Sequence, residues 1–177
     1  MMRNSDLFIN FLLSRRSIRK FDPREIDTSI IMKILDIARY APSSRNKQPW
    51  IFIVVTDKEI KSRLARLHKW SYPLDEAPVG IVVACDKELS PESYQVDCAN
   101  TTIYIMLAAH AMGLGSVWIN TFGYFDEIRR TLDLPEKYVP IAMLAMGYPA
   151  EKPEPRERKS LSDIVFLNKY RNRFYSS

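Results

Sequence analysis

Four cations and a hydroxyl fall within six residues, Arg15, Arg16, Ser17, Arg19 and Lys20, directly after an apolar run that ends at Leu13. Forked guanidinium groups grip phosphate oxygens in pairs and a serine adds a compact neutral donor, so these types suit capture of an anion. In extended backbone Ser17 and Arg19 face one side and Ile18 the other, which lets the segment line a pocket while Ile18 ties it to the core. A solvated helix end explains the same cations, because positive charge favours helix C-termini. On these residues alone the helix end is the simpler account. A second polar group follows at Ser43, Ser44, Asn46 and Gln48, between Pro42 and Pro49. Their hydrogen-bonding groups carry no charge and suit the polar edge of a heterocycle. An ordinary helix-to-strand connection collects the same residue types.

Other chemistries lack their residues. His68 and His110 are far apart and belong to no HExxH or His/Cys cluster, so no metal centre is expected. Cys85 and Cys98 have neither CxxC nor metal spacing and read as reduced core thiols. The glycines of Gly113-Leu114-Gly115 follow a helix instead of opening one, and a third glycine is missing. There is thus no dinucleotide fingerprint, and no GxxxxGK[ST] phosphate loop occurs either. The formal charge of +5 is compatible with nucleic acid, a membrane surface or a small anionic ligand.

The elements that must position these groups follow from periodicity. A chain of 177 residues, 46% hydrophobic and 27% charged, suits one globular domain spanning residues 1–177. Such a domain buries roughly 70% of its unfolded surface. Asn4 or Ser5 can cap a first helix with Leu7, Phe8, Phe11 and Leu12 at helical spacing, delivering the chain to the arginines. Asp27 caps a second, with Ile30, Ile31, Ile34, Leu35 and Ala38 inward, ended by Pro42. A strand over 51–55, a helix over 58–70, a loop over 71–78 and a central strand over 79–85 come next. The main core helix is expected over 94–112, with Val96, Ala99, Ile103, Met106, Leu107 and His110 on its inner face, and His110 as a core or boundary histidine. Asp97 is expected to cap or pair locally, and its polar neighbours exclude a membrane span. A left-handed glycine cap then releases a strand over 116–119, followed by a turn at 120–123, a helix over 125–132 and a strand over 138–146. Residues 151–159 read as extended and charged. The tail, about 160–177, is apolar enough to pack on this chain or a partner. The run at 7–13 has its positive charge after it and no small-residue cleavage site, so cytoplasmic residence is the default expectation.

In order, Arg-Arg-Ser-x-Arg, Ala-Pro-Ser-Ser-x-Asn-x-Gln-Pro-Trp, an alanine-rich helix ending Gly-Leu-Gly-Ser-Val-Trp-Ile, Met-Gly-Tyr-Pro and Arg-x-Arg together resemble the FMN-dependent nitroreductase family over about residues 12–159. The resemblance implies an α+β fold, a mixed, largely antiparallel sheet flanked by helices, in an intertwined homodimer with FMN at the subunit interface. It implies that Arg15, Arg16, Ser17 and Arg19 bind the phosphate and pyrimidine edge. Pro42, Ser43 and Ser44 would reach the flavin from the other subunit, with Asn46 and Gln48 as further polar contacts. Arg156 and Arg158 would close on the phosphate, and Trp118, Ile119, Asn120 and Thr121 would pass the flavin N5. Asn120 and Thr121 depart from the glycine or acidic residue common in relatives, which bears on substrate access and flavin tuning.

The implied activity is NAD(P)H-driven ping-pong reduction of a small electron-poor acceptor such as a nitroaromatic or quinone, with no catalytic side chain named. Reductive dehalogenation, flavin fragmentation and heterocycle oxidation are alternatives within the superfamily. A basic surface for nucleic acid or an acidic partner is the alternative from another class. The flavin reading is preferred, with no nucleic acid and no membrane as partners, because a basic surface has no need of the Pro-Ser-Ser-x-Asn-x-Gln loop.

Overall fold

The computed structural model describes residues 4–174. Its centre is strand β2 (Val79–Asp86), grown from the uncharged run 79–85 and buried at every residue, as a strand covered on both faces must be. With β1 (Trp50–Val55), β3 (Gly115–Asn120) and β4 (Tyr138–Gly147) it forms an antiparallel sheet in the order β1-β2-β4-β3. The only parallel pairing among the described residues is the bridge between Ser17 and Ser116. The fold is therefore the α+β, largely antiparallel arrangement expected.

Alternation along the strands divides the core. Ile81, Val83, Cys85, Leu144 and Met146 pack with helices α2 (Thr28–Ala38) and α5 (Tyr94–Ala111) on one face of the sheet. Val82, Met143, Ala145, Val117 and Ile119 pack on the other face with α3 (Lys58–Ala65), α4 (Pro73–Glu76) and α6 (Phe125–Thr131). Asp27 does cap α2, accepting from Ser29 N at 2.7 Å. Pro140 falls where the β2–β4 register shifts between Val83 and Ala84, an irregularity that tolerates its missing N–H. The skipped residue there is Ile141, whose carbonyl accepts the Thr121 hydroxyl at 3.0 Å.

Three expectations need correction. First, Cys85 and Cys98 are joined as a disulfide between β2 and α5, not free thiols. Spacing gave no hint of it, because the pairing is between elements brought together only by the fold. Second, α5 is turned about its axis relative to the expected face. Asp97, Cys98, Thr101, Thr102, Ile105 and Met106 are buried, while Val96 and Ile103 are exposed at 62% and 46%. The polar positions can go inward because each finds a partner: Thr101 donates to Ala38 O at 2.8 Å and Thr102 to Cys98 O at 2.7 Å. Third, α3 stops at Ala65, and the stretch read as a loop contains α4, which opens on Pro73 at a first-turn position that suits proline.

The ends of the chain stand apart from these layers. Helix α1 (Asn4–Ser14) buries none of its residues, leaving Leu7, Phe8, Leu12 and Leu13 at least half exposed. The tail forms α7 (Leu161–Ile164) and a small bridge between Phe166 and Arg173, with Leu161, Ile164, Tyr170 and Phe174 exposed. No helix among the described residues is long and apolar enough to cross a membrane.

Candidate functional site

Strand β3 is a sheet edge, and the arginine segment covers it. Ile18 N donates to Ser116 O at 3.1 Å, Ala150 N to Lys20 O at 2.9 Å and Asp22 N to Tyr148 O at 2.9 Å, weaving the segment between β3 and the chain beyond β4. The Glu151 carboxylate accepts from Arg19 N and Lys20 N. Ile18 is buried at 7%, and Ser17 and Arg19 lie on the other side, as alternation requires. Gly115 permits this fit. A Cβ there would lie 2.6 Å from Ile18 Cγ1 and 2.7 Å from its Cβ.

The two leading arginines do different work. Arg16 Nη1 donates to Leu13 O at 2.7 Å and to Arg15 O at 2.9 Å, so it satisfies the carbonyl end of α1. Arg15 Nη1 is buried with no acceptor among the described residues. Both line a cavity of about 440 Å³ whose walls include His110, Gly113, Gly115, Ser116, Glu151 and Pro155. His110 stacks on Phe11 with ring centroids 4.9 Å apart and bonds to Ser14 Oγ at 2.8 Å. The Ser14 hydroxyl proton is committed to Phe11 O at 2.8 Å, so His110 Nε2 is the donor of that pair. Burial holds the His110 pKa below its ordinary value; a bond to the Phe11 backbone opposes this, and the Arg15 and Arg16 charges reinforce it. The histidine read as a core or boundary residue therefore lines the arginine cavity, and its place at the last turn before Gly113 was the one local hint.

Further along β3 a second cavity of about 700 Å³ is lined by Arg19, His68, Lys69, Trp70, Trp118, Ile119, Asn120, Phe122 and Tyr124. Five strand steps of about 3.3 Å put its far end roughly 17 Å from the Gly115 end, so a long ligand can lie along the strand with an anionic group at one end and a ring at the other. His68 Nδ1 accepts from Trp70 N at 3.2 Å while Nε2 meets Asn120 O at 2.9 Å, which fixes Nε2 as the donor and braces the cavity wall. A third, more apolar cavity of about 330 Å³ shares Trp118, Asn120 and Phe122 and adds Thr121, Val96, Ala99 and Ile141. Thr121 is fully buried with its hydroxyl on Ile141 O, which gives its side chain a structural role.

The remaining candidate residues lie elsewhere on the chain. Pro42, Ser43, Ser44, Asn46 and Gln48 lead into β1, the sheet edge opposite β3. They meet the first half of α5, where Asn100 Nδ2 donates to Pro42 O at 3.2 Å and Ser44 N to Asp97 Oδ1 at 2.9 Å. His110 is at the other end of that helix, and at about 1.5 Å per residue the two ends are roughly 20 Å apart. None of the three cavities is lined by both groups. The loop is nonetheless tightly determined: Arg45, Asn46 and Gln48 all have positive φ, at 52°, 56° and 47°. Left-handed non-glycine residues cost about 1–3 kcal/mol each and persist where surroundings hold them. The holder is Asp97, buried, which also accepts from Ser90 Oγ at 2.9 Å and Ser93 Oγ at 3.1 Å. The local pairing expected of Asp97 is present in its bonds to Ser90 and Ser93, just before α5; its bond from Ser44 N, 53 residues away, had no signal in the local sequence. Arg156 and Arg158 are exposed, Arg158 donating to the backbone of Arg156 and Glu157, and neither lines these cavities.

Comparison with known proteins agrees with this arrangement. A Methanothermobacter thermautotrophicus protein provisionally named NADH dehydrogenase/NAD(P)H nitroreductase is 40% identical over 149 residues, 81% of this chain and 78% of the relative. The solved structure of an FMN-dependent nitroreductase from Clostridium difficile superposes with a TM-score of 0.83 at 34% identity, covering 92% of this chain and 99% of that one. That of the NADPH:FMN oxidoreductase from Vibrio harveyi, complexed with NAD+, superposes with a TM-score of 0.84 at 26% identity, covering 92% of this chain and 77% of that one. With the sequence profile of the nitroreductase family matching residues 12–74 and 66–148, the chain belongs to the nitroreductase family.

Proposed function

We propose that this nitroreductase-family oxidoreductase binds FMN along β3 and uses NAD(P)H to reduce small electron-poor acceptors. The observation that supports this reading is Arg15 Nη1, a buried guanidinium nitrogen without a partner among the described residues, on a side chain that lines a cavity of about 440 Å³. An unsatisfied buried donor costs about 1–3 kcal/mol, and more when charged, so such a site is in keeping with an external oxyanion. Arg15 and Ser17, with the free donors of Arg16, would hold the phosphate, and the backbone of residues 113–116 would lie against it. Arg19 would place positive charge at the pyrimidine edge, where it stabilises added electrons and raises the tendency to be reduced. Trp118, Ile119, Asn120 and Thr121 would flank the ring. Bound there, FMN would supply two-electron chemistry, taking hydride from NAD(P)H and passing electrons to a nitroaromatic, quinone or related acceptor in a separate, ping-pong half-reaction.

The same reading makes the functional unit a homodimer. The Ser43–Ser44 loop stands at the far side of the chain from Arg15, so both can meet one ligand only if a second copy supplies one of them. Exposed apolar residues on α1, on the outer face of α5 and in the tail give such a copy a surface to cover. Arg156 and Arg158 are exposed on the extended segment that follows the cavity wall at Pro155, and in this reading they would close on the phosphate.

Hydrogen bonds to a charged phosphate contribute about 1.5–3 kcal/mol each, so two or three arginine contacts approach the roughly 8 kcal/mol of a micromolar complex. The protein as isolated should be yellow, release FMN on denaturation and elute as a dimer. Arg15→Ala with Arg19→Ala should weaken FMN retention by about tenfold or more with the far-ultraviolet circular dichroism unchanged. Unchanged flavin occupancy in the double variant would overturn the assignment.

A further inference from the structure

The second cavity carries information about the acceptor. Its walls offer π-faces from Trp70, Trp118, Phe122 and Tyr124, which suits a planar ring. Trp70 and Phe122 are 66% and 67% exposed at its rim, a cost in solvent-facing apolar area that packing within the chain does not offset. The ionised groups lining it are Arg19 and Lys69, and no carboxylate does so. Arg19 is held low, donating back to Ser17 O at 3.4 Å. Lys69 stands at the rim with its Nζ 5.0 Å from the centroid of the Trp70 ring, so the indole face keeps the ammonium over the mouth of the cavity.

The geometry points to the Lys69, Trp70 and Phe122 side of this cavity, beside the Arg19 and Trp118–Asn120 wall given above to the flavin ring, as an acceptor subsite selective for planar aromatic compounds that carry an anionic substituent, with Lys69 on Trp70 as the residue that sets the preference. This rests on the flavin reading above for the redox role of the pocket, but the charge selectivity is a property of the chain's own side chains. A neutral acceptor stacks equally well on the aromatic walls; only an anion gains from the ammonium, and a cation is repelled.

The test is calorimetric titration of the oxidised protein as isolated, without NAD(P)H, with three compounds of similar shape: 4-nitrobenzoate, 4-nitrobenzamide and 4-nitrobenzylamine. A rim ion pair contributes up to about 1 kcal/mol, so the benzoate should bind about three- to fivefold more tightly than the amide, and the amine more weakly than either. The difference should shrink at high salt. Lys69→Ala should abolish it, Lys69→Glu should reverse it and Lys69→Arg should keep it; Lys69 is exposed, so the fold survives all three. Equal affinity for benzoate and amide, or a preference that Lys69→Ala leaves intact, would overturn the proposal. Flavin content of the same samples separates the two readings. Flavin-bearing protein without charge selectivity sinks this inference alone, whereas colourless protein with Lys69-dependent selectivity keeps it and sinks the flavin reading.

Discussion

His110 shows how much a single side chain's neighbours decide. Burial against Phe11 lowers its pKa from the ordinary imidazole value of 6.5; the bond to the Phe11 backbone acts in the other direction, and the Arg15 and Arg16 charges lower it further. Because the folded-state pKa is depressed, the unfolded chain binds the proton more readily. The contribution of the neutral ring is thus whole above about pH 6.5 and lost as pH falls through the folded-state value. The unfolding midpoint should therefore drop between about pH 7.5 and 5.5 more steeply for the native protein than for His110→Gln, which keeps a donor for Ser14 but does not titrate. Thermal melts across that range are the measurement, and parallel pH profiles would remove the argument. Periodicity could identify neither this role nor that of Asp97, since both depend on which residues arrive from other elements.

At the scale of elements, the β3 edge is the part of the site that tolerates least change. Gly115→Ala would press a methyl group into Ile18, three of whose atoms lie 2.6–2.9 Å from the added carbon. Overpacking of that kind costs about 1–3 kcal/mol, and here it pushes outward the segment that carries Arg15 and Arg19. Ile18→Ala alone leaves a cavity and costs about 2–5 kcal/mol. In the double variant the new methyl group falls into that cavity, so the two changes should be far from additive. Denaturant unfolding should find the double variant no less stable than Ile18→Ala; a further loss equal to that of Gly115→Ala alone would show that the contact is not the cause. Helix α5 gives the converse case. Its apolar stripe of Val96, Ala99 and Ile103 faces outward, and its polar stripe faces in, because Asp97, Thr101 and Thr102 are all hydrogen-bonded there.

For the whole molecule, the Cys85–Cys98 disulfide links the central strand to the long helix across a sequence separation of 13. Closing a loop of that order stabilises by about 3 kcal/mol, chiefly by restricting the unfolded chain. For a chain of this size that corresponds to roughly 6–12 °C in the unfolding midpoint. Melting with and without a thiol reductant, and of a Cys85→Ala/Cys98→Ala variant, should show a fall of that order. Thiol titration in denaturant should find reactive thiols only after reduction. Free thiols without reductant would contradict the pairing. The disulfide also sits one residue from Asp97, so its loss should loosen the strained loop at Arg45, Asn46 and Gln48 before the rest of the sheet.

Local pattern was enough for most of the elements, α4 and the end of α3 apart: the uncharged run of β2, the Asp27 cap and the alternation of Ser17, Ile18 and Arg19 are each set by neighbours in the chain, and each is found in the fold. The order of the Arg, Pro-Ser-Ser and Gly-Leu-Gly motifs likewise marked the family. What only the tertiary structure decided depends on contacts between residues distant in sequence: the joining of Cys85 to Cys98, the inward turn of the polar face of α5, the entry of His110 into the arginine cavity and the separation of that cavity from the Ser43–Ser44 loop. Hydrophobic spacing says that a face is buried, but when polar groups find partners across the fold the opposite face can go inside at no net loss, and nothing within one element records which has happened.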